Sequence, residues 1–337
     1  MNYMFNNVKN KIKYIITCVV ISASLISCAP SIDYYVGNID LDNNPTDDYK
    51  IVLTNYLNGQ EIWVLKNQTI AQNLSVIVKT AYGELIIFDG GRKEDAKYLH
   101  DFIIKNGGTV HGWFLTHIHD DHVGAIYEIM DKYDDIKIEN LCYNFADFDF
   151  YYKSEGENAG IVVLLEEKFK EYFDKIYKNA ESEGLDPTHF KRFDKVKKDD
   201  WFTYSEVIVR VMNDIYKLDH DSVNNSSIVY KVFLESTKTM MVLGDLAYLG
   251  GEELLKDYKD DMDKLKSDIV VMAHHGQGGV GEEVYKAINP EVAIWPTTKK
   301  IYMNEDNNYH TDDTKKWLSD IGVKYNILSY EGTQVIK

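Results

Sequence analysis

The sequence predicts an α/β fold, and two patterns along residues 51–337 lead to that prediction. Short runs rich in Val, Ile and Leu alternate with segments whose apolar residues have helical spacing. Several of the short runs end directly in Asp or His, and the carboxyl ends of strands are where α/β proteins place their chemistry. A sandwich of sheets whose strand ends share one rim would bring these polar residues together.

The order of the elements follows from these runs and from the turn residues between them. Strands are predicted at residues 51–53, 62–65, 73–79, 83–89, 110–115, 206–211, 227–234, 239–243, 268–273, 292–295, 324–328 and 334–336. Helices are predicted at residues 93–106, 123–130, 161–181 and 311–321. The third and fourth strands form a predicted hairpin, Gly107-Gly108 ends the first helix, and residues 184–198 are predicted to be a loop.

Residues 1–27 have the pattern of a secretory signal peptide and are excluded from the fold. Three lysines precede an apolar stretch at residues 15–26 that is too short to span a membrane comfortably. The Leu-Ile-Ser-Cys that follows resembles the lipobox of bacterial lipoproteins, which makes Cys28 the predicted lipidated residue. An ordinary signal with an incidental cysteine and an uncleaved anchor are the alternatives.

Residues 28–50 are polar, contain two prolines and are predicted to be a flexible tether that follows the lipidated cysteine. The predicted location is therefore outside the cytoplasm, with the domain at residues 51–337 anchored by lipid to a bacterial membrane. Cys142 is the only cysteine of that domain, so no intramolecular disulfide is expected there. Its stability must come from a packed core.

The acidic charge of the chain argues against long nucleic acids as partners. The formal net charge is −17, and cleavage of the signal would remove three lysines and no acidic residue, which leaves −20. Such a surface repels phosphate chains, whose neutralisation dominates nucleic-acid affinity. One basic cluster, within residues 191–198, is predicted to be a solvated face of the protein.

The most informative stretch is residues 116–122, Thr-His-Ile-His-Asp-Asp-His. It places His117, His119, Asp121 and His122 in the order H-x-H-x-D-H. A divalent metal needs several nitrogen and oxygen donors that converge, and a tight loop supplies them only when they lie close in sequence. A lone histidine in such a loop would be an ordinary polar residue, but four donors in this order predict a metal site.

Four motifs together resemble those of the metallo-β-lactamase superfamily of αββα hydrolases. They are Asp89-Gly90-Gly91, the H-x-H-x-D-H loop, Gly244-Asp245 and His274-His275-Gly276. Within the superfamily, the sequence is most similar to the hydrolase-like domain of DNA-uptake competence channels and to secreted phosphorylcholine esterases, and Asn224-Asn225-Ser226-Ser227 resembles the pattern of this subgroup. The resemblance implies an αββα metallo-β-lactamase sandwich with an aromatic-rich insertion at about residues 142–201.

The resemblance also implies two divalent metal ions, zinc or alternatively manganese. The implied ligands are His117, His119, Asp121, His122, Asp245 and one of His274 and His275. The first two histidines would hold one ion, Asp121 and His122 the other, and Asp245 would bridge them. His275 is favoured over His274 as the last ligand because it directly precedes a glycine.

One departure from the family pattern affects the first ion. Many members of the superfamily supply a third histidine between the H-x-H-x-D-H loop and the bridging Asp. Here that interval contains His189 and His220, neither in the expected glycine-rich context, and Asn224-Asn225-Ser226-Ser227 occupies the aligned place. The first site is therefore expected to be weakly occupied, open to substrate or suited to manganese.

The implied reaction is hydrolysis of a phosphodiester or phosphoester by a metal-bound hydroxide, on a small molecule or a polymer at the cell surface. Asp89 would accept the remaining N–H of a ligand imidazole or orient the attacking water. The predicted catalytic residues are Asp89, Asp121 and His274. The predicted substrate contacts are Asn225, Ser226 and His310.

Two other functions fit the same sequence. The metals would suit the carbonyl of a lactone, which would make the protein a lactonase or another C–O or C–N hydrolase. A surface lipoprotein that binds a ligand without turnover would also fit, because the third histidine of the family pattern is missing from its aligned place and the insertion is rich in aromatic residues. The insertion could form a wall for a base, a sugar or a choline group, although packing onto the sheet is the favoured role. Its aromatic residues include Tyr143, Phe145, Phe148, Phe150, Tyr151 and Tyr152.

Overall fold

The computed structural model describes residues 49–184, 186–235 and 237–337. The predicted signal peptide, Cys28 and the tether up to residue 48 lie outside these described residues. The first strand begins at Tyr49, so the last two residues assigned to the tether belong to a sheet. Within the described ranges, no helix is both long enough and apolar enough to cross a membrane.

The strands and helices alternate along the described chain as the sequence predicts. The strands are β1 (Tyr49–Leu53), β2 (Glu61–Val64), β3 (Ser75–Lys79), β4 (Leu85–Asp89), β5 (Thr109–Val110), β6 (Gly112–Phe114), β7 (Lys137–Ile138), β8 (Asn140–Cys142), β9 (Lys191–Phe193), β10 (Trp201–Tyr204), β11 (Val207–Val211), β12 (Tyr230–Phe233), β13 (Thr239–Val242), β14 (Ile269–Val271), β15 (Val292–Trp295), β16 (Tyr325–Leu328) and β17 (Thr333–Ile336). The α-helices are α1 (Ala96–Lys105), α2 (Asp120–Lys132), α3 (Phe148–Glu155), α4 (Gly160–Glu183), α5 (Ser222–Asn225), α6 (Tyr248–Asp257), α7 (Glu282–Ile288), α8 (Lys299–Tyr302) and α9 (Thr311–Ile321).

Most predicted elements are confirmed, with ends that move by a few residues, and two predictions need correction. Residues 110–115 do not form one strand, because the chain changes partners at His111. The backbone N–H of His111 donates to the carbonyl of Leu85 and its ring accepts from the N–H of Leu85, so β5 pairs with β7 while β6 pairs with β4 and β8. The predicted loop at residues 184–198 contains β9, which extends a sheet by pairing in parallel with β8.

Two large sheets account for most of the strands in the described residues. The first has the order β1-β17-β2-β3-β4-β6-β8-β9, and the second has the order β10-β11-β12-β13-β14-β15-β16. In the first sheet, β4, β6, β8 and β9 run parallel to one another. In the second sheet, β13 to β16 are also parallel. Parallel neighbours bring their carboxyl ends to the same edge of a sheet.

The buried side chains form three layers, which is the packing of an αββα sandwich. Side chains alternate along each strand, so Ile77 of β3 packs with the helices α1 and α2, while Val76 and Val78 pack between the two sheets. The second sheet behaves in the same way, because Val271 lies between the sheets and Val270 packs with α6, α7 and α9. Strands that are buried on both faces explain the nearly continuous apolar runs in the sequence. The predicted αββα fold is confirmed.

The aromatic insertion contributes mainly to the core. Tyr143, Phe145 and Tyr151 are buried in the layer that contains α4, whereas Tyr152 is exposed. Phe148 and Phe150 are half-buried against the same layer. The packing role favoured from the sequence therefore holds for these buried rings, and only a minority of the aromatic side chains is free to meet a ligand.

Two residues of the basic cluster within residues 191–198 are paired with acidic side chains. Arg192 lies 3.1 Å from Asp194, with Glu166 also within ion-pair distance, and Lys198 lies 3.4 Å from Asp257. These contacts lie at partly exposed positions, where each pair contributes little to stability. They balance part of the positive charge of the cluster.

The layer between the sheets should dominate the stability of the fold. Phe114 is fully buried there and its ring lies 5.4 Å from that of Phe88 and 5.2 Å from that of Tyr230. We expect Phe114→Ala to lower the free energy of unfolding by about 3–5 kcal/mol because it removes these contacts and leaves a cavity. Urea denaturation measures the change. The exposed Tyr82→Ala is the control and should stay within about 0.5 kcal/mol of the parent protein; equal losses in both variants would contradict this account of the core.

Candidate metal centre

The predicted ligands meet at one rim because the strands that carry them end there. Asp89 ends β4, and the loop at residues 116–122 follows the adjacent parallel strand β6. In the second sheet, Asp245 follows β13 and the two histidines at 274 and 275 follow its parallel neighbour β14. The rims of the two sheets are joined by hydrogen bonds, from the Tyr230 hydroxyl to the carbonyl of Leu115 (2.7 Å) and from the N–H of residue 228 to the carbonyl of residue 116 (2.9 Å).

The backbone at this rim takes unusual conformations. Asp89, His274 and His275 have φ values of 54°, 49° and 57°, a left-handed region that costs free energy for residues with a Cβ. Gly244 also has a positive φ, and a Cβ there would lie 2.7 Å from the Cβ of Thr116. A glycine is therefore required if Asp245 is to lie this close to the loop of the other sheet. Such strain is found where a functional site over-determines the backbone.

The Asp89 carboxylate organises the start of the ligand loop. It is fully buried and accepts hydrogen bonds from the backbone N–H of Thr116 (2.8 Å), from the Thr116 hydroxyl (2.7 Å) and from Nδ1 of His122 (2.7 Å). The last bond fixes the orientation of the His122 ring and leaves its Nε2 facing Asp245, 3.0 Å from Oδ1. The sequence missed Thr116, although it directly precedes the ligand motif.

Other ligand rings are oriented in the same way. Nδ1 of His275 donates to the carbonyl of Pro296 (2.7 Å), which leaves Nε2 facing the carboxylates of Asp121 (3.2 Å) and Asp245 (3.5 Å). Nδ1 of His117 lies 3.1 Å from the hydroxyl of residue 116, and its Nε2 lies 3.0 Å from Nδ1 of His119. A hydrogen bond at one ring nitrogen fixes the tautomer and orients the other nitrogen toward a metal.

Two groups of donors in the described residues could each hold a divalent cation. In the first, donor atoms of His117, His122 and Asp245 all lie within 4.8 Å of one another, and in the second the same is true of Asp121, His122 and His275. All of these residues are buried. The second group contains the predicted ligands of one ion, and His119 extends the first group through its contact with His117.

Unpartnered buried atoms show that these residues fit a metal. Nε2 of His122, Nε2 of His275 and Oδ1 of Asp245 are buried and find no hydrogen-bond partner within the described chain, although they lie close to one another. Buried polar atoms are normally paired, and leaving them unpaired is costly. Imidazole nitrogens and carboxylate oxygens are the donors that zinc and manganese take. A cation bound among them would satisfy all three atoms.

The pKa values of the clustered histidines and aspartates reflect their burial and their mutual attraction. Burial disfavours the charged forms and holds the pKa of His117 well below its usual range. Attraction to the carboxylates of Asp245 and Asp89 outweighs burial and raises the pKa of His122 well above its usual range. Attraction to Asp245 and Asp121 likewise outweighs burial and raises the pKa of His275 to about 9. Asp245 shows the converse, because attraction to the imidazoles outweighs burial and lowers the pKa of its carboxyl group. The imidazoles and carboxylates of the cluster thus attract each other, and a divalent cation would compete with protons for the imidazole nitrogens.

His274 lies at the open side of the cluster. Its Nε2 is 3.8 Å from Oδ2 of Asp245, and 29% of its side chain is exposed, whereas the side chain of His275 is fully buried. Burial lowers the pKa of His274, which favours the neutral imidazole. His275 is thus the residue that joins a donor group, and His274 is placed between that group and solvent.

Two of the predicted substrate contacts are hydrogen-bonded within the protein. Asn225 is buried, and its amide donates to the carbonyl of His220 and accepts from the N–H of Gly250. Ser226 is also buried, and its hydroxyl donates to the carbonyl of Val223 and contacts the Tyr151 hydroxyl. In the structure these side chains hold α5 in place, and their contact with a substrate stays a prediction. His310 directly precedes α9 with its side chain exposed, and its backbone N–H donates to the carbonyl of Gln277, close to the turn at His274 and His275.

No histidine from the interval between His122 and Asp245 joins either donor group in the described residues. His189 lies away from them, where its ring contacts Glu139 (2.7 Å) at an exposed position, and His220 is exposed in the loop before α5. In the segment at residues 224–227, the Ser227 hydroxyl accepts from the backbone N–H of Asp245 (3.1 Å). That segment supports the bridging residue of the proposed site and supplies no imidazole.

Comparison with known proteins finds one matching family model and several similar solved structures. A model of the metallo-β-lactamase superfamily matches residues 69–208, which include Asp89 and the ligand loop. Among curated proteins, none matches the sequence. Among solved structures, the chain is similar to the metallo-β-lactamase fold protein YhfI from Bacillus subtilis, with 11% identity, coverage of 83% of this chain and 100% of that chain, and a TM-score of 0.46.

Two further solved structures are similar at comparable distance. One is a metallo-β-lactamase from Cronobacter sakazakii altered in its HARLDQ motif, with 13% identity, coverage of 79% of this chain and 92% of that chain, and a TM-score of 0.38. The other is a diphosphatase from the PhnP family, with 10% identity, coverage of 70% of this chain and 85% of that chain, and a TM-score of 0.38. These are distant likenesses.

The contrast between the adjacent histidines gives a direct test of the metal centre. We expect His275→Ala to lose bound metal because it removes a buried donor with a fixed ring, and His274→Ala to keep the metal content of the parent protein. Metal per protein, measured by inductively coupled plasma mass spectrometry after zinc loading and desalting, distinguishes the two. Circular dichroism of both variants controls for folding. Equal metal contents in the two variants would contradict the assignment of His275.

Proposed function

We propose that this chain, whose residues 69–208 match a model of the metallo-β-lactamase superfamily, is a metal-dependent hydrolase that cleaves a phosphodiester or phosphoester. The observation that carries the proposal is the meeting of two buried donor groups at His122, with unpartnered atoms that face one another. This chemistry needs no serine or cysteine nucleophile, because the donor groups suit cations that activate water.

The residues of the site have separable roles in this proposal. The holding residues would be His117, His119, Asp121, His122, Asp245 and His275. Bound divalent metals would supply Lewis acidity to the group under attack and an attacking water made more acidic. Asp89 would keep the His122 ring in one tautomer and one orientation through its 2.7 Å contact with Nδ1. His274 would meet the substrate from the open side and donate a hydrogen bond to one of its oxygens.

The choice of a phosphoester is supported by the adjacency of the two donor groups. His122 has one free nitrogen, Nε2, and would serve only one cation, but the Asp245 carboxylate lies beside both groups, 3.8 Å from Nε2 of His117 and 3.5 Å from Nε2 of His275. If each group held a cation, the anionic oxygens of a phosphoester would balance more positive charge than a neutral carbonyl does. Zinc is the proposed metal because of the imidazole ligands, with manganese as the alternative. The sequence motifs that resemble competence channels and phosphorylcholine esterases point to the same substrate class.

One observation favours a second candidate. Asn225 and Ser226 are committed to hydrogen bonds within the protein, so two of the donors expected to contact an anionic substrate are absent from the site. A lactone, or another C–O or C–N substrate, needs fewer such donors because it carries no formal charge. Lactone hydrolysis is therefore the alternative function.

We also propose that the protein works outside the cytoplasm on a lipid anchor, on a small phosphoester or a phosphoester polymer at the cell surface. The support comes from the lysine-flanked apolar stretch within residues 1–27 and from the Leu-Ile-Ser-Cys that ends at Cys28. The net charge of −17 further supports a small or locally displayed substrate over a long nucleic acid.

The reaction is tested with a substrate panel on the zinc-loaded protein. We expect turnover of bis-p-nitrophenyl phosphate, and we expect His274→Ala to lower kcat about 100-fold without loss of metal because it removes a donor to the reacting group. Initial rates and metal content are measured on the same samples. Loss of turnover in His119→Ala and Asp245→Ala, with retention in the exposed Tyr82→Ala, ties the activity to this site.

The same panel distinguishes the alternatives. Turnover of lactones with no phosphodiester turnover would establish the second candidate instead. Tight retention of a ligand with both metals bound and no product would indicate a binding lipoprotein. Unchanged phosphodiester turnover in His119→Ala and Asp245→Ala would exclude this site as the source of the activity.

The lipid anchor is tested by metabolic labelling. We expect the expressed protein to incorporate labelled palmitate and to fractionate with membranes, and we expect Cys28→Ala to abolish both because no other residue can take the lipid at that position. Cys18→Ala, which changes the other cysteine of the export segment, is the matched control and should be labelled normally. Labelling that persists in the Cys28→Ala variant would refute lipidation at this residue.

A further inference from the structure

Arg92 connects a metal-binding carboxylate to the loop beside it. Its guanidinium contacts three acceptors that lie in different directions: Nη2 is 3.4 Å from Oδ2 of Asp121, Nη1 is 2.5 Å from Asp120, and Nε donates to the carbonyl of Gln72 (3.1 Å). Only arginine offers a planar set of donors that can serve three acceptors at once, because lysine has a single ammonium group. The same Oδ2 of Asp121 faces His275 of the metal centre at 3.2 Å.

The backbone of Arg92 is tied to the same loop through Asp95. One oxygen of the buried Asp95 carboxylate accepts from the N–H of Arg92 and the other from the N–H of Gln68, each at 2.8 Å. The loop ends at Leu74, whose N–H donates to the carbonyl of Asp121 itself (3.1 Å). The loop at residues 66–74 is therefore hydrogen-bonded to Asp121 at its end and to Asp95 and Arg92 before that end.

Apolar packing does not explain the position of residues 66–72 of this loop. Ile70, the large apolar residue at its centre, is 98% exposed, and no side chain from Lys66 to Gln72 is buried. Polar contacts therefore hold this part of the loop: Lys66 and Asn67 bond to Thr333 and Ser329, and Gln68 and Gln72 bond to Asp95 and Arg92. The bonds to Asp95 and Arg92 are the ones that connect the loop to the Asp121 carboxylate.

We propose that Arg92 is a positioning residue that orients the Asp121 carboxylate for its metal and couples that carboxylate to the loop at residues 66–74. The inference rests on the metal site within the proposed function, but not on the choice of substrate. Its consequence is that a substrate which displaces the loop changes the geometry of a metal ligand, and that a metal bound at Asp121 restrains the loop.

A purely electrostatic role for Arg92 predicts the opposite effect on metal binding. Removal of a positive charge near a cation site strengthens cation binding by Coulomb attraction, so charge alone would make Arg92→Ala bind zinc more tightly. Positioning predicts weaker binding in both Arg92→Ala and Arg92→Lys, because neither side chain serves the three acceptors. Lys93→Ala is the matched control, since it removes the neighbouring exposed cation, which has no contact with Asp121 in the described structure.

The experiment measures zinc binding and loop protection in the purified protein, without any substrate. Chelator competition gives the stepwise zinc dissociation constants, and hydrogen–deuterium exchange gives the protection of residues 66–74. We expect both Arg92 variants to raise at least one zinc dissociation constant about 10-fold or more, and to exchange faster in this loop even when zinc is bound. Lys93→Ala should leave both measurements within about twofold of the parent protein, because solvent screens an exposed charge.

The outcomes separate this inference from the proposed function. Zinc binding that is unchanged or tighter in Arg92→Ala, or complete recovery in Arg92→Lys, would overturn the positioning role. Faster exchange throughout the chain would show a general loss of folding, and Arg92→Lys, which keeps the charge and most of the side chain, then decides the question. Failure of phosphodiester turnover would leave both measurements intact, because neither uses a substrate.

Discussion

The buried carboxylate of Asp89 is the contact on which the arrangement of the metal centre depends. It accepts from the N–H and the hydroxyl of Thr116 and from Nδ1 of His122, so one residue at the end of β4 fixes both the start of the ligand loop and the direction of a ligand ring. Burial of a carboxylate is costly unless its oxygens are paired. The donors that stabilise Asp89 are the groups that the metal centre needs to have oriented, so folding and site geometry are determined by the same bonds.

The parallel strands explain why residues far apart in sequence meet at this point. β4 with β6 in one sheet, and β13 with β14 in the other, deliver their carboxyl ends to facing rims. The chain then has to turn sharply, and the left-handed backbone at His274 and His275 is the result. Neighbouring contacts hold these conformations, since the N–H of His274 donates to the carbonyl of Gly244 and the ring of His275 donates to the carbonyl of Pro296. Strain of this kind persists only where the surroundings over-determine it.

Most strands and the ligand loop could be predicted because their signals are local in sequence, whereas the αββα layers and the addition of Asp245 and His275 to the loop were implied by the family resemblance. Apolar runs mark strands, and H-x-H-x-D-H puts four donors in one loop. The internal hydrogen bonds of Asn225 and Ser226 could not be predicted, because the direction in which a polar side chain faces depends on distant partners. For Asn225 that partner is the N–H of Gly250. α6 escaped prediction for a related reason. Its Gly250 and Gly251 lower helix propensity, yet a Cβ at either would come within 3.0 Å of a neighbouring side chain, so tertiary packing overrides the local preference.

The exposure of the histidines around the two donor groups bears on where a substrate would enter. Every residue of both groups is buried, and the rings of His122 and His275 are each fixed by a hydrogen bond at Nδ1. Two histidines beside these groups are only partly buried: His119, which contacts His117, and His274, which lies 3.8 Å from the Asp245 carboxylate. A cation keeps the coordination that the protein does not fill free for other oxygen ligands. The partly exposed His119 and His274 therefore mark where a substrate would reach the donor groups.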